Sequence, residues 1–293
     1  MKTAKNQLRH LYISDLDGTL LCPRGTLSRF SREQLTKMLS EGLPFTVATA
    51  RSLESVRVIL KGLPLRLPVI HFNGAMISDF STGQHFSVLS FEQSLAQLVA
   101  EFTISRMGHW PYVSSFDGEH DHLSYEDIPN LGYDWYVKER VKSKDPRLRQ
   151  VPRVDKILDE ESTICFTVVS GFDVLNVFRQ QLEQQFPNRL RIRFFQNPYD
   201  RDWYWITIQP YAATKATAIK RLLQEQRMSA QDLTVFGDHC NDQEMFEIAG
   251  RAIAVANAIE ELRALSTHQI GHHGDDSVVE FIRQDWQLIR PRD

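Results

Sequence analysis

Both ends of this chain alternate short apolar runs with amphipathic segments, and this alternation constrains the fold more than any other sequence feature. The segments between the runs repeat their apolar residues at helical spacing and begin at Ser31, Ser52 and Thr214, which we predict to cap helices. The strand-like runs lie at 10–14, 44–48, 69–72, 233–236 and 252–255. Strand–helix–strand units with short links form parallel sheets covered by helices. The sequence therefore predicts an α/β fold.

The middle of the chain follows a different pattern. Strand-like runs pair around turn signals there, as in a predicted hairpin that reverses at Asp117-Gly118. Helical stretches alternate with these runs, which is typical of a compact α+β unit. We therefore predict an inserted α+β domain and an α/β core made of two segments. The inserted domain spans 84–206, and the core spans 1–83 and 207–293.

Length and composition limit the class of protein. At 293 residues the chain has room for about two domains of ordinary size. The formal net charge of −3 provides no overall basic field for nucleic acid or an anionic membrane, and no apolar stretch approaches the roughly 18–20 residues of a membrane span. The polar start, 1–10, lacks the apolar centre of a secretion signal, and the three cysteines are widely spaced. We predict a cytoplasmic protein that binds neither nucleic acid nor membranes.

Several of the predicted strands run directly into polar residues. The polar segments are Asp15–Thr19, Thr49–Arg51, Asn73-Gly74 and Gly237-Asp238. Ligands of an open parallel sheet bind beyond the carboxyl ends of its strands. We therefore expect Asp15, Asp17, Thr49 and Asp238 to border one crevice, although they are far apart in the sequence.

The acids of this predicted crevice indicate a metal ion. Taken alone, Asp15 and Asp17 could simply cap a loop, which is the usual role of such a pair. Gly18 follows them at once and allows a tight turn, and Asp238 and Asp242 add further carboxylates. Converging carboxylates repel one another unless one is protonated or a cation joins them. Oxygen ligands without His or Cys suit Mg²⁺, which commonly serves phosphate chemistry.

Lys215 gives a complementary signal. It lies in the first turn of a predicted helix, where the helix dipole disfavours a cation by up to about 1 kcal/mol. A phosphate bound at that helix start would make the position favourable. A solvated surface lysine is the alternative interpretation, and the local sequence does not decide between the two.

These segments together resemble the haloacid dehalogenase-like superfamily. Its four signatures are matched in order by Asp15–Leu20, Thr49–Arg51, Lys215 and Gly237–Asp242. Three further segments resemble the Cof-type phosphatase branch, namely Asn73–Ala75, Thr207–Pro210 and Asn257-Ala258. The similarity covers about 11–81 and 207–282, and the placement and size of the inserted middle match the type-two cap of the B subclass. The resemblance implies a Rossmann-like hydrolase core.

The resemblance also implies phosphoester hydrolysis through an aspartyl-phosphate intermediate. Asp15 would be the nucleophile, and Asp17 would protonate the leaving oxygen and then deprotonate the attacking water. The implied Mg²⁺ ligands are the Asp15 carboxylate, the Asp17 backbone carbonyl and Asp238, with Asp242 acting directly or through water. The groups implied to hold the phosphoryl oxygens are Thr49, Lys215, Asn241 and the amides of Leu16 and Ala50.

The sequence departs from the family pattern in three places. Ala50 replaces a frequent glycine, His239-Cys240 replaces a common Gly-Glu pair, and the segment 255–258 reads Val-Ala-Asn-Ala instead of Met-Gly-Asn-Ala. All residues with implied roles in handling charge are present, so we expect an active enzyme.

Other candidate residues have plainer interpretations. His272-His273 resembles a metal pair, but without a recognised metal motif we expect a solvated loop. In the segment 203–205, alternate strand faces favour core packing for one or two of the aromatic rings over stacking on a substrate. Arg51 could pair with a surface acid or border the phosphate site, and the sequence leaves both open.

The function predicted from these features is a Mg²⁺-dependent phosphatase of small phosphorylated metabolites. Sugar phosphates are the first class we expect, and phosphorylated cofactors such as flavin mononucleotide or pyridoxal phosphate come next. The inserted domain is expected to close over the site and choose the leaving group. Two alternatives stay open: a phosphomutase or phosphotransferase, and a sensor that binds a phosphorylated ligand without turnover.

Overall fold

The computed structural model describes residues 10–197 and 200–289. The chain forms two compact units. The core unit comprises Met1–Ser87 and Thr214–Asp293, and the inserted unit comprises Val88–Ala213. The inserted domain predicted from the sequence, 84–206, begins four residues before this unit and ends seven residues before it ends. The predicted domain limits remain a prediction. The prediction about a secretion signal concerned the polar start, 1–10. Residues 1–9 of this segment lie outside the described residues.

The structure contains strands and helices in both units. The strands are β1 (Leu11–Ser14), β2 (Phe45–Val47), β3 (Val69–His71), β4 (Met76–Ser78), β5 (His85–Val88), β6 (Tyr112–Phe116), β7 (Asp121–Tyr125), β8 (Leu148–Gln150), β9 (Ser162–Ser170), β10 (Leu190–Gln196), β11 (Tyr204–Pro210), β12 (Leu233–Gly237), β13 (Arg251–Ala254) and β14 (His268–Gln269). The helices are α1 (Arg29–Ser40), α2 (Leu53–Ile59), α3 (Gln93–Met107), α4 (Leu131–Lys142), α5 (Val154–Glu160), α6 (Phe172–Gln185), α7 (Lys215–Gln226), α8 (Gln243–Ile248), α9 (Glu260–Leu265) and α10 (Ser277–Ile289).

The core unit is built on a five-stranded parallel sheet of order β14-β13-β12-β1-β2. Its centre pairs β1 with β12, with Ile13 opposite Val235. The central strands are buried along their whole length, as expected of a parallel sheet covered on both faces. All five strands run in the same direction, so their carboxyl ends share one edge. The predicted α/β fold is confirmed.

The third predicted strand has a different partner from the one expected. The alternation predicted that residues 69–72 continue the parallel sheet, but β3 pairs antiparallel with β4 in a separate three-stranded sheet. A single parallel bridge, Ala48 to Ile70, connects it to the chain after β2. The chain reverses immediately after β3 because Phe72, Asn73 and Gly74 all have positive φ angles, of 48°, 53° and 96°.

Two of the three predicted helix caps are confirmed. The side chains of Ser52 and Thr214 accept hydrogen bonds from the backbone amides three residues further on. The prediction for Ser31 is wrong, because Ser28 caps α1 and its hydroxyl accepts from the Ser31 amide at 2.9 Å. Ser31 is buried in the first turn and donates to Asp276 at 2.6 Å.

The inserted unit has a six-stranded sheet of order β10-β11-β9-β6-β7-β8. The predicted hairpin is present as the antiparallel pair β6–β7. The apolar cluster beneath α3, α5 and α6 includes Val113 and Val168, while α4 packs with Tyr112 and Val169 on the opposite face. Trp205 packs on the α4 side and Tyr204 on the other, so the aromatic segment that begins at Trp203 contributes to packing on both faces. The inserted unit is therefore an α+β sandwich.

No helix among residues 10–197 and 200–289 combines the length and apolar character needed to cross a bilayer.

Candidate active site

The residues predicted to border one crevice lie at the carboxyl edge of the core sheet. Asp15 directly follows β1, and Asp238 directly follows β12. Thr49 comes two residues after β2, and Lys215 is the first residue of α7. Asp242 ends a short turn of 3₁₀ helix that begins at Cys240.

Three carboxylates meet at this edge. Oxygens of Asp15, Asp238 and Asp242 lie within 4.8 Å of one another. Asp15 and Asp242 are buried, and Asp238 is half-buried. The structure thus brings together acids more than 200 residues apart, as their positions directly after predicted parallel strands indicated. The side chain of Asp17 is not one of these three, because it points towards Arg51.

Lys215 lies within the acidic cluster. Its side chain is fully buried, and its Nζ donates to Asp15 at 2.5 Å and to Asp242 at 2.6 Å. The surface-lysine interpretation is therefore wrong. A buried ammonium is tolerated here because two carboxylates compensate its lost hydration.

The cluster carries excess negative charge, because three carboxylates face one ammonium. Burial raises the pKa of Asp15 well above its ordinary value, and the neighbouring carboxylates act in the same direction against the attraction of Lys215. Burial and the Asp242 carboxylate raise the pKa of Asp238 to about 6. Burial alone would lower the pKa of Lys215, but Asp15 and Asp242 outweigh it and raise that pKa. All three shifts favour added positive charge, so the cluster is suited to bind a cation.

The turn after β1 fits closely against Asp238. Gly18 has a φ of +76°, and a Cβ at this position would lie 2.3 Å from an Asp238 oxygen. Thr19 donates to the other oxygen of Asp238 at 2.9 Å, and Asn257 donates to the Gly18 carbonyl at 2.8 Å. The local sequence indicated neither of these long-range contacts. The wider Cof-type motif was the available signal for Asn257.

The loop after β3 also contacts elements that carry site residues. Asn73 accepts a hydrogen bond from Asn241 at 3.1 Å. Gly74 lies against the start of α7, where a Cβ would be 2.0 Å from the Thr214 carbonyl oxygen. Gly74 therefore sets the position of the helix that carries Lys215, and Asn73 holds the side chain of Asn241.

Replacing Gly74 with alanine is expected to destabilise the protein by about 2–4 kcal/mol and to lower turnover, because the clash must displace the start of α7. Gly42 provides a matched control, since its φ is also +96° but a Cβ added there would have no atom within 4 Å. Gly42→Ala should cost only the backbone strain of about 1–2 kcal/mol. Urea unfolding and turnover of both variants test this, and equal losses would contradict a role for the close approach.

The remaining predicted site residues lie just beyond the carboxyl ends of β1 and β2. Leu16 begins the turn after Asp15, and Ala50 is exposed next to Thr49. The Thr49 hydroxyl accepts from the Arg51 amide at 3.1 Å, so its own proton points to another acceptor. This arrangement suits a donor to a phosphoryl oxygen.

The histidine pair does not join the acidic cluster. His272 is exposed, and Nδ1 of His273 lies 2.7 Å from the Leu21 carbonyl oxygen. His273 is therefore partly buried against the turn after β1, where a fully solvated loop was expected.

A parallel α/β core with an acidic cluster suited to a cation at the carboxyl edge and a large α+β insertion is typical of hydrolases that use a metal ion. The sequence matches the haloacid dehalogenase-like hydrolase family over residues 12–282, and the chain belongs to that family.

Relatives with assigned names cover nearly the whole chain. A 5-amino-6-(5-phospho-D-ribitylamino)uracil phosphatase of Bacillus subtilis is 28% identical over an alignment of 283 residues that covers 92% of this chain and 96% of that protein. An HMP-PP phosphatase of Cronobacter sakazakii is 28% identical over 272 residues, or 92% of each chain. The structure of a subclass IIB sugar phosphatase of the superfamily is similar with a TM-score of 0.66 at 17% identity, covering 94% of this chain and 98% of that one.

The protein is accordingly a phosphatase, a phosphoric monoester hydrolase, of the Cof-type branch. Its inserted unit has the fold of the subclass IIB cap. The predicted membership of the Cof-type branch and the predicted B-subclass cap are confirmed.

Proposed function

We propose that this protein is a Mg²⁺-dependent phosphatase that hydrolyses small phosphorylated metabolites through a phosphorylated Asp15. The observation that carries the proposal is the convergence of Asp15, Asp238 and Asp242 around the buried Lys215. A nucleophilic carboxylate needs such surroundings, because its approach to an anionic phosphate is otherwise repulsive.

The residues present fit Mg²⁺. The cluster offers oxygen donors of the hard type that Mg²⁺ prefers, and its raised pKa values indicate a deficit of positive charge. We assign the Asp15 carboxylate, the Asp17 backbone carbonyl and Asp238 as ligands. Bound Mg²⁺ would neutralise charge on the nucleophile and on the phosphoryl group.

In this proposal Asp242 also holds neighbouring groups of the site in place. One of its oxygens accepts from Lys215, and the other accepts from the amides of Asp238 at 3.0 Å and His239 at 3.2 Å. These bonds hold the lysine and the loop after β12 in place. We therefore infer that Asp242 orients the metal site mainly through these groups and through water.

The reaction has two steps. Asp15 attacks phosphorus, the bond to the leaving oxygen breaks, and Asp17 gives that oxygen a proton. In the second step Asp17 takes a proton from water as the water attacks the aspartyl-phosphate, which releases phosphate and regenerates Asp15. The donors that hold the phosphoryl oxygens are the Thr49 hydroxyl, Lys215, Asn241 and the Leu16 and Ala50 amides.

The substrate class rests on chemistry shared by the named relatives. By their names, one is a sugar phosphatase, and another acts on a phosphorylated ribitylamino-uracil, which contains a heterocycle. We propose sugar phosphates first and phosphorylated cofactors such as pyridoxal phosphate or flavin mononucleotide next. We assign the choice among them to the inserted unit.

A panel of phosphorylated metabolites tests the proposal. We expect release of inorganic phosphate with Mg²⁺ and a loss of at least about 100-fold when EDTA removes the metal, because the metal supplies several kcal/mol of charge stabilisation. Phosphate and phosphorylated acceptor are measured together. Transfer to an added sugar in place of water would favour a phosphotransferase, and binding without turnover across the panel would favour a sensor.

A further inference from the structure

An ion pair links the proposed acid–base residue to the start of α2. Arg51 donates through Nε to one oxygen of Asp17 at 2.7 Å and through a terminal nitrogen to the other at 2.6 Å. Two parallel bonds of this kind fix the plane of a carboxylate as well as its distance.

Arg51 is itself held in place at several points. Its other terminal nitrogen donates to the Ser55 hydroxyl at 3.0 Å. Its backbone amide donates to the Thr49 hydroxyl at 3.1 Å, and its carbonyl accepts from the Phe72 amide at 2.9 Å. The guanidinium is therefore anchored to the same rigid edge that carries the phosphate-binding Thr49.

The ion pair between Arg51 and Asp17 contributes little to the stability of the fold. The Asp17 side chain is 51% exposed, and that of Arg51 is 25% exposed. Ion pairs this open to water contribute between zero and about 1 kcal/mol. Its geometry is more informative, because an exposed carboxylate on the turn after Asp15 would otherwise rotate between several orientations.

We propose that Arg51 is a positioning residue that orients the Asp17 carboxylate for proton transfer to the leaving oxygen. This inference rests on the role of Asp17 in the proposed function. Each carboxylate oxygen keeps a lone pair beside its bond to Arg51, which can carry the transferred proton. Arg51 stays protonated throughout, so it neither gives a proton to Asp17 nor takes one from it.

Proton donation matters most when the leaving group is poor. An alkyl phosphate must expel an alkoxide unless its oxygen is protonated, whereas p-nitrophenolate leaves without help. Misorienting Asp17 should therefore slow alkyl phosphates far more than p-nitrophenyl phosphate. A merely structural defect would slow both substrates equally.

The experiment measures single-turnover cleavage of both substrates, with enzyme in excess and Mg²⁺ present, so that only the first step is observed. For Arg51→Ala we expect a loss of about 30–100-fold with the alkyl phosphate and less than about threefold with p-nitrophenyl phosphate. Arg51→Lys keeps the charge but not the two-bond geometry, and it should fall in between. Arg29→Ala, which removes an exposed arginine of α1, is the control and should behave as wild type.

Asp17→Asn is measured in parallel, alone and combined with Arg51→Ala. We expect a larger split between the substrates for Asp17→Asn, and no further loss when Arg51 is also removed, because the two residues act as a unit. If Asp17→Asn shows no split, the assigned role of Asp17 in the proposed function fails.

If Asp17→Asn shows the split and the Arg51 variants do not, only the inference about Arg51 is overturned. Equal losses with both substrates would make Arg51 structural. A higher KM for both substrates would indicate that Arg51 binds the phosphate. A faster reaction of the variants would indicate that Arg51 restrains Asp17. Each of these results contradicts the proposal.

Discussion

Asp15→Asn is expected to lower turnover by about 10⁴-fold or more while the protein stays folded. The amide cannot attack phosphorus, and the remaining donors still bind the substrate but cannot replace the nucleophile. The change keeps the shape of the side chain, and it removes one negative charge from a cluster that carries too much of it. We therefore expect a native circular-dichroism spectrum and a substrate KM within a few-fold of wild type.

The covalent intermediate gives a second, independent measurement. Wild-type protein quenched in acid during turnover should gain the mass of one phosphoryl group, and the modified peptide should contain Asp15. Asp15→Asn should gain none. Asp134→Asn is the matched control, because it also removes one carboxylate, in this case from an exposed pair with Lys138 on α4. Full turnover in Asp15→Asn, or phosphorylation at another residue, would show that the nucleophile is misassigned.

Much of the core site could be predicted because parallel strands place their carboxyl ends together. Knowing which runs form strands was enough to predict that Asp15 and Asp238 lie close together. Local capping rules were sufficient for Ser52 and Thr214, whose partners lie three residues away. Information of this kind is contained in short windows of sequence.

Features that depend on distant partners could not be predicted in the same way. Ser28 and Ser31 are equally good cap residues, and Asp276, which accepts hydrogen bonds from both, is 245 or more residues away. Strand β3 was expected in the parallel sheet because its composition suits either arrangement. The positive φ angles of Phe72 and Asn73, which reverse the chain, have no reliable sequence signal for phenylalanine.

Arg51 and Lys215 show the same limit for charged residues. Each had two interpretations, since a cation near a helix start can face water or a ligand. The structure gives both an acidic partner, Asp17 for Arg51 and the Asp15–Asp242 pair for Lys215. The two residues differ in burial, because Lys215 is fully buried whereas the ion pair of Arg51 and Asp17 remains partly exposed to water.

Lys215→Met is expected to produce the largest loss of stability in the core unit. The variant leaves Asp15 and Asp242 buried near each other without their shared cation. Breaking a buried ion pair in this way costs about 3–5 kcal/mol, because the remaining charges keep their desolvation penalty. Turnover should also fall by about 10³-fold or more, since a donor to the transferring phosphoryl group is lost.

The loss should depend on pH and on metal in a definite direction. As the pH falls, the raised pKa values of Asp15 and Asp238 let these carboxyls take up protons, which relieves the repulsion. The stability deficit of Lys215→Met should therefore be smaller at pH 5 than at pH 8. Added Mg²⁺ should also reduce the deficit at pH 8, because it replaces part of the missing positive charge.

Urea unfolding at both pH values, with EDTA or with Mg²⁺, measures these effects. Lys220→Met is the control, because it removes an exposed lysine from the same helix and should change stability by less than about 0.5 kcal/mol. If Lys215→Met unfolds at the same urea concentration as wild type in EDTA at pH 8, the buried acids do not depend on this lysine. The excess negative charge inferred for the cluster would then be absent, and with it the reason for expecting a divalent cation there.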